Sequence, residues 1–542
     1  MAVAFAATCV LAALCASCVR MPAPRIEAVP GADATVRTIA FNVSEDPHSL
    51  NPLFARSDDE RQLAHLCFEM LLDVDERSRQ VPALAVQVPT LRNGGISRDG
   101  RTITYHLRRD VRWQDGSPLT SHDVWFTWRT IIDPRSGATS TQGYDLIDAI
   151  DTPDSHTAVI HLRRAWAPAV ATLFTYGAHP APLLPAHALE RASRAAVERF
   201  NEHPVCSGPF VLESWERSSR LVYRANPHYF RGRPHADRAI ANVIPDFNTD
   251  LMQLRAGELD WSLLSPAQRI ALGRMRGIRF VDVPFAGYGA LTFNLRRPPF
   301  DDGRLRRAIA QSIDRHRLSQ AITQGRYPVA ESDQPRFSWA HDPSVRMPAY
   351  DPSAADRGFD AAGWRVGRNG VRQRHGQPLE INLTVFPEGD TAVRTAVYVQ
   401  EMLATRGVAV SIKRVTLAHF YLPKSAGGLL MSGNYDLAYF AWRSGQDPDD
   451  SDVVTCAGTS NFAGYCSGEV DALEARALSV SDQRERAVLY ARVQRIIARD
   501  VPYLYLYAPT YGYAASARLS GFAPTPFSPM AQAWRWSKIP DE

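Results

Sequence analysis

Residues 98–134, RDGRTITYHLRRDVRWQDGSPLTSHDVWFTWRTIIDP, decide the fold of this chain. Ile103, Tyr105 and Leu107 alternate with polar residues, the two-residue period of a strand with one apolar face. Val111 and Trp113 continue the alternation, and Asp115-Gly116 supplies a turn in which glycine takes a positive φ at no steric cost. Thr120, followed three residues on by Asp123, has the spacing of a capping box, which occupies the first free N–H groups of a helix. Val124, Trp128, Ile131 and Ile132 then form a helical stripe that Pro134 terminates. The stretch predicts strand, turn, strand and helix, in that order.

Around this unit the chain is long and ordinary in composition. Its 542 residues exceed what one core holds and imply about two to four domains. Hydrophobic content of 45% and charged content of 22% are those of a soluble globular protein. A net charge of +4 with no basic run argues against a nucleic-acid surface. Residues 1–18 are apolar, short for a spanning helix and end in small residues, which predicts a signal peptide. Leu14-Cys15-Ala16-Ser17-Cys18 resembles a lipobox with Cys18 as the acylated residue. It departs from that motif in having Cys15 in the place of Leu and no Lys or Arg ahead of the apolar run, so plain secretion stays as the alternative. Residues 19–35, rich in Pro, Ala and Gly, predict a flexible tether.

Beyond the leader stand Cys67, Cys206, Cys456 and Cys466, an even count that permits disulfides in an exported chain. Cys456 and Cys466 close a short loop and are the better pair, whereas Cys67 with Cys206 rests on arithmetic alone. Neither spacing suits zinc, and no metal or cofactor is expected. No Gly-Lys dipeptide occurs, which removes the P-loop and with it an ATPase role. Gly287-x-Gly289 lacks the third glycine and following helix of a dinucleotide site. Neither a Gly-x-Ser-x-Gly elbow nor His-Glu-x-x-His is present, and the acidic run 447–452 lacks the glycine and closing Glu of an EF-hand loop.

Periodicity predicts further elements. Leu63 to Leu72 reads as a helix with Leu63, Leu66, Cys67, Met70 and Leu71 on one face. Leu379 to Phe386, Thr391 to Arg406 and Val408 to Val415 read as strand, helix and strand, which implies a parallel sheet.

The wording of residues 98–134 closely resembles the signature of the family 5 extracellular solute-binding proteins, the dipeptide and oligopeptide-binding components of bacterial ABC importers. Other stretches resemble the same family in the same order: the SEDPHSLNPLFARSDDE loop, CSGPFVLESWERSSRLVYRANPHYFRG, LMQLRAGELDWSLL and YDPSAADRGFDAAGW. The resemblance implies an α/β, two-lobed periplasmic-binding-protein fold (type II-like, cluster C) with an extra domain inserted in the first lobe. On that plan the first lobe takes residues 36–67, 199–290 and 509–542, the inserted domain 68–198 and the second lobe 291–508. It also implies a non-enzymatic monomer that captures a small peptide or peptide-like solute between hinged lobes and hands it to a permease and ATPase, touching the membrane only through a lipid anchor. Rival readings are another solute (an oligosaccharide, a metal chelate or an opine-like compound), a periplasmic sensor, and an exported hydrolase.

By the same resemblance the solute meets the segment 435–452, YDLAYFAWRSGQDPDDSD. Trp442 matches a tryptophan that walls the cleft, with a place in the core as the alternative. Peptide-binding relatives carry an aspartate three residues later for the peptide's ammonium; here that place is Gly445, and Asp447 is the nearest acid. Asp447 either substitutes for it or belongs to the family's Asp-Pro turn. Arg443 is a candidate for a ligand carboxylate, with ordinary surface exposure as the alternative. Tyr439 lies on the same strand, and Tyr288, Phe386, Asn51 and Phe54, each at a loop-strand junction, complete the candidates, with core packing as their alternative.

Overall fold

The structure is a computed structural model that describes residues 37–176, 180–386, 389–422 and 426–539. The leader, Cys18 and the tether lie outside the described residues. Strand β1 (Thr38–Val43) opens the first sheet and helix α1 (Asp58–Cys67) follows it. The chain then leaves for the inserted domain, where β2 (Thr102–His106), β3 (Ile147–Asp154) and β4 (Thr157–Leu162) form a three-stranded sheet, order β2-β4-β3, against which helix α2 (Ser121–Ile132) packs. It returns for β5 (Phe210–Glu216), β6 (Arg220–Ala225), β7 (Arg238–Val243), β8 (Trp261–Leu264) and β9 (Ile278–Pro284). The second sheet comprises β10 (Gly287–Phe293), β11 (Glu380–Val385), β12 (Ala409–Arg414), β13 (Leu437–Arg443) and β14 (Tyr503–Tyr507), with helices α3 (Gly389–Ala404), α4 (Gly468–Ser479) and α5 (Gln483–Asp500) packed around it. Strand β15 (Thr510–Ser516) goes back to the first lobe.

The first sheet runs β9-β15-β8-β1-β7-β6-β5, with β1 parallel to both β7 and β8. The second runs β12-β11-β13-β10-β14. Its β11 is parallel to β12 and β13, as the strand-helix-strand reading expects, while β10 joins β13 and β14 antiparallel. The boundary expected after residue 290 falls inside β10, whose residues 287–293 all pair with β13. The chain crosses between the sheets at Pro284–Gly287 and again at Tyr507–Thr510. These two crossings touch, because the Phe285 N–H donates to the Pro509 carbonyl at 3.0 Å.

The first strand, the turn and the helix of the opening stretch form as predicted, whereas the second strand is reduced to an isolated bridge between Arg112 and Pro118. Gly116 takes φ 89°, and its N–H closes the turn onto the Trp113 carbonyl at 2.9 Å. The Thr120 N–H donates to Asp123 Oδ2 at 2.7 Å, and Asp123 Oδ1 accepts the Ala186 N–H at 2.8 Å. Val124, Trp128 and Ile131 are buried, and the Trp128 Nε1–H donates to the Tyr144 carbonyl at 3.2 Å. Their core is continuous with that of the first lobe, running from Phe41 and Trp261 through Leu66 to Trp113 and Ile160.

Two local readings change. Helix α1 starts five residues earlier than the apolar pattern indicates, because Ser57 and Glu60 form a capping box, and it stops at Cys67. Met70 and Leu71 therefore lie beyond it, and the Cys67 carbonyl accepts the N–H groups of Ser207 and Gly208. Gly208 has to be glycine here, since a Cβ would lie 2.7 Å from the Cys67 carbonyl carbon. The structure joins Cys67 to Cys206 and Cys456 to Cys466, with Cα–Cα distances of 5.1 and 4.3 Å.

Candidate functional site

Strand β13 carries the candidate segment to the place where the lobes meet. Trp442 pairs with Tyr288 of β10, is half-buried, and sets its ring edge-on to Phe462 at 6.0 Å. Arg443, the next residue, reaches across to the first lobe. Its Nη2 donates to Asp58 Oδ2 of α1 at 3.1 Å and to Tyr511 Oη of β15 at 2.7 Å, and its guanidinium lies 5.5 Å from the Phe285 ring. Asp58 also pairs with Arg61 at 2.5 Å. Burial pushes the Asp58 carboxyl up, but Arg443 and Arg61 together hold it below its ordinary value. Two guanidinium groups thus share one carboxylate, and among the described residues neither has a second carboxylate in an ion pair.

Asp447 is no free partner for an ammonium. Its two oxygens accept from Arg486 Nη1 and Nη2 of α5 at 2.7 and 2.6 Å, and both side chains are buried. The bidentate fork engages both oxygens, and Oδ1 also accepts the Asp449 N–H at 3.1 Å. Gln446 Nε2, one residue back, donates to the Tyr176 carbonyl of the inserted domain.

The remaining candidates are packing residues. Tyr439 projects from the face of β13 opposite Trp442 and is buried, its hydroxyl 2.8 Å from that of Tyr507. Phe386 is buried against Phe420 at 5.0 Å. Tyr288 is 2% exposed and meets Tyr505 edge-on at 4.9 Å. Asn51 accepts the Leu53 N–H at 3.2 Å and donates to Asn201 Oδ1 at 3.0 Å, so it holds its own loop. Phe54 packs half-buried on the first-lobe core. Gly287-x-Gly289 is also explained by packing, since a Cβ on Gly287 would run into the Trp442 carbonyl and one on Gly289 into the Tyr507 ring.

Three residues of the interlobe cluster were missed from sequence: Asp58, Arg61 and Tyr511. Only Asp58 carried a signal, lying in the capped SDDE start of α1, and that signal spoke for a helix end. Arg61 also lines a cavity of about 30 Å³ with Pro52, Thr139, Gln142 and Tyr144, room for a water and not for a solute. A Ser528–His65–Asp73 line resembles a hydrolase relay, with Ser528 Oγ 3.0 Å from His65 Nδ1 and His65 Nε2 3.5 Å from Asp73. Ser528 is 1% exposed and already accepts the Met530 N–H at 3.0 Å, which makes the line a packing network. Among the described residues no group of three His, Cys, Asp or Glu is placed to hold a metal ion, and no helix is long and apolar enough to cross a membrane.

Residues 79–464 match the family described as bacterial extracellular solute-binding proteins, family 5 Middle. The chain belongs to this family. Its members are extracytoplasmic binding proteins of ABC transporters. The peptide transport periplasmic protein SapA of Salmonella typhimurium is 27% identical over 533 residues, covering 92% of each chain. The oligopeptide-binding protein AppA of Bacillus subtilis, solved with a nonapeptide, superposes with a TM-score of 0.75 at 22% identity over 93% of this chain and 100% of that one. NikA of Brucella suis, solved with Fe(III)-EDTA, reaches a TM-score of 0.81 at 19% identity, again over 93% and 100%. These likenesses place the two-lobed fold with its inserted domain on firm ground, and the solutes named are those of the relatives.

Proposed function

We propose that this family 5 member captures a peptide or peptide-like solute bearing a free carboxylate between its two lobes and delivers it to an ABC permease and ATPase. The observation that carries the reading is Arg443 bridging from the second lobe to Asp58 and Tyr511 of the first, beside half-buried Trp442. A carboxylate arriving there answers the positive charge left by Arg61 and Arg443, while Trp442 offers an apolar face. Closing the lobes then removes water from these contacts, and the transporter gains the solute by favouring the open form. The role is capture without chemistry or cofactor, by a monomer held at the membrane through Cys18 when the leader is processed as a lipoprotein.

One observation favours a second reading. Gly445 stands where peptide-binding relatives have the ammonium-binding aspartate, and Asp447 is occupied by Arg486. A polycarboxylate metal chelate needs the arginines and no such aspartate. The test is mass spectrometry of solute that co-purifies, followed by thermal shifts with peptides, their C-terminal amides, sugars and chelates. A bound solute raises the melting temperature by mass action. Free-acid peptides are expected to shift it and the amides to fail. A shift from chelates or sugars with none from any peptide sinks the peptide reading.

A further inference from the structure

The face of the second sheet that carries Trp442 also carries Tyr288, since the two are cross-strand partners. Tyr288 and Tyr505 are buried, and neither hydroxyl has a hydrogen-bond partner. Both phenols face the carboxyls of Asp333 and Asp450. Asp333, Asp450 and Glu474 are 3%, 8% and 1% exposed and come from three separate segments: the loop after residue 323, the loop after β13, and α4. Both oxygens of Glu474 and Oδ1 of Asp450 lack a donor. Asp333 Oδ2 accepts from Gln334 Nε2, which also donates to the Pro448 carbonyl at 2.9 Å.

Little positive charge faces this group. Arg486 commits its Nη atoms to Asp447, and its Nε has no acceptor. His341 sits behind Gln334, its Nδ1 3.2 Å from the Gln334 carbonyl. Asp449 adds a further half-buried carboxyl, pushed up to about 6 by burial and then by Asp447, and Asp452 lies on the next turn. Tyr421, Tyr490 and Tyr503 close the surroundings. Three carboxylates buried together without a cation cannot all stay ionised, whereas a protonated carboxyl donates to its neighbour and removes both charge and orphan. Burial first, then the neighbouring carboxyls, raises Asp450 and Glu474 well above their ordinary range, and burial raises Asp333. A metal ion is the other way to neutralise the cluster, but these groups are not placed to hold one.

We infer that Asp333, Asp450 and Glu474 share protons while the segment Asp447–Val454 is seated, and that their ionisation unseats it, making capture beside Trp442 dependent on pH. The proton sharing stands alone; its link to capture rests on the interlobe site proposed above. The folded protein holds protons that the unfolded chain releases near pH ~4. Stability from these groups is therefore full at acid pH and is lost as pH rises toward their raised values. Each retained proton is worth roughly 3 °C of melting temperature per pH unit for a domain of this size.

The experiment compares melting curves of the full chain from pH 5 to 8 with those of Glu474→Gln and Asp450→Asn. Amide hydrogen exchange of the peptide around residues 444–460 is followed at one fixed pH, and the infrared band of protonated carboxyl groups is recorded on the wild type at pH 7. Flatter melting slopes in the variants, slower exchange in Glu474→Gln than in wild type at pH 8, and a protonated-carboxyl band are expected. Parallel slopes without that band overturn proton sharing, and the wild-type band decides if the variants do not fold. Trialanine probes the link to capture. Affinity several-fold weaker at pH 8 than at pH 6, with the loss reduced in Glu474→Gln, is expected; equal affinity at both pH values overturns the link. No trialanine binding at either pH counts against the peptide reading and against the link resting on it, while the melting slopes and infrared band decide proton sharing alone.

Discussion

Helix α2 and the segment Asp447–Val454 both bury carboxylates, and they treat them differently. In α2 the Asp123 oxygens each receive a backbone N–H, from Thr120 and Ala186, and the apolar stripe beside them is closed in the core. In the second segment Asp447 is matched by a buried guanidinium, while Asp450, three residues on, has an oxygen with no donor. Asp123 thus has a backbone donor for each oxygen, one local and one from residue 186, whereas Asp447 combines a buried guanidinium with the Asp449 N–H and Asp450 keeps an oxygen without a donor.

The ion pair gives the sharpest way to break this contrast. Asp447→Ala leaves Arg486 buried without its carboxylate and is expected to cost about 3–5 kcal/mol in urea denaturation. A loss below about 1 kcal/mol would mean that the segment is not held by that pair. Ile131→Ala, in the apolar stripe of α2, is expected to cost about 2–4 kcal/mol of stability and to leave the solute preference unchanged in thermal-shift profiles. A changed preference would join the inserted domain to the site and remove the distinction. Trp442→Ala is expected to weaken solute binding by about 1–3 kcal/mol in calorimetry, with a smaller effect on stability because the residue is half-buried. Asp58→Asn should have the smallest effect, about 0.5–1 kcal/mol of stability, since the Asp58 side chain is 43% exposed and its pairs are screened by water. Its binding readout sharpens the site: freeing both arginines should tighten a carboxylate ligand.

The legible part of the chain was the part governed by short-range rules. Alternation and the Thr120–Asp123 spacing were enough for the strand, turn and helix of residues 98–134, and strand-helix-strand order was enough for the parallel pairing of β11 with β12. The same period-two rule, applied to β13, separates Tyr439 from Trp442, which were both put forward as candidates: three residues apart on one strand, they project from opposite faces and cannot both wall one cleft. The interlobe cluster was not legible, because Arg443 and Asp58 are 385 residues apart. Asp447 and Arg486 are 39 apart, on a loop and a helix whose packing no local pattern reports. Helix α1 shows the converse error, in which an apolar stripe ran on past Cys67 although the chain had already turned to bring Gly208 against it.

The two crossings between the sheets, joined by the hydrogen bond from Phe285 to Pro509, act as a pair of pins side by side. One strand alone lets a lobe swing and swivel in any direction; two bound together favour a swing about the line that joins them and resist twist. Arg443 follows directly on the β13 residue that pairs with Tyr288, just past the first pin, so a small rotation there moves its guanidinium little relative to Asp58. Contacts farther from the pins sweep a wider arc. On the proposed reading, the size of the solute is therefore gauged at the outer rim of the jaws, and its charge near the fulcrum.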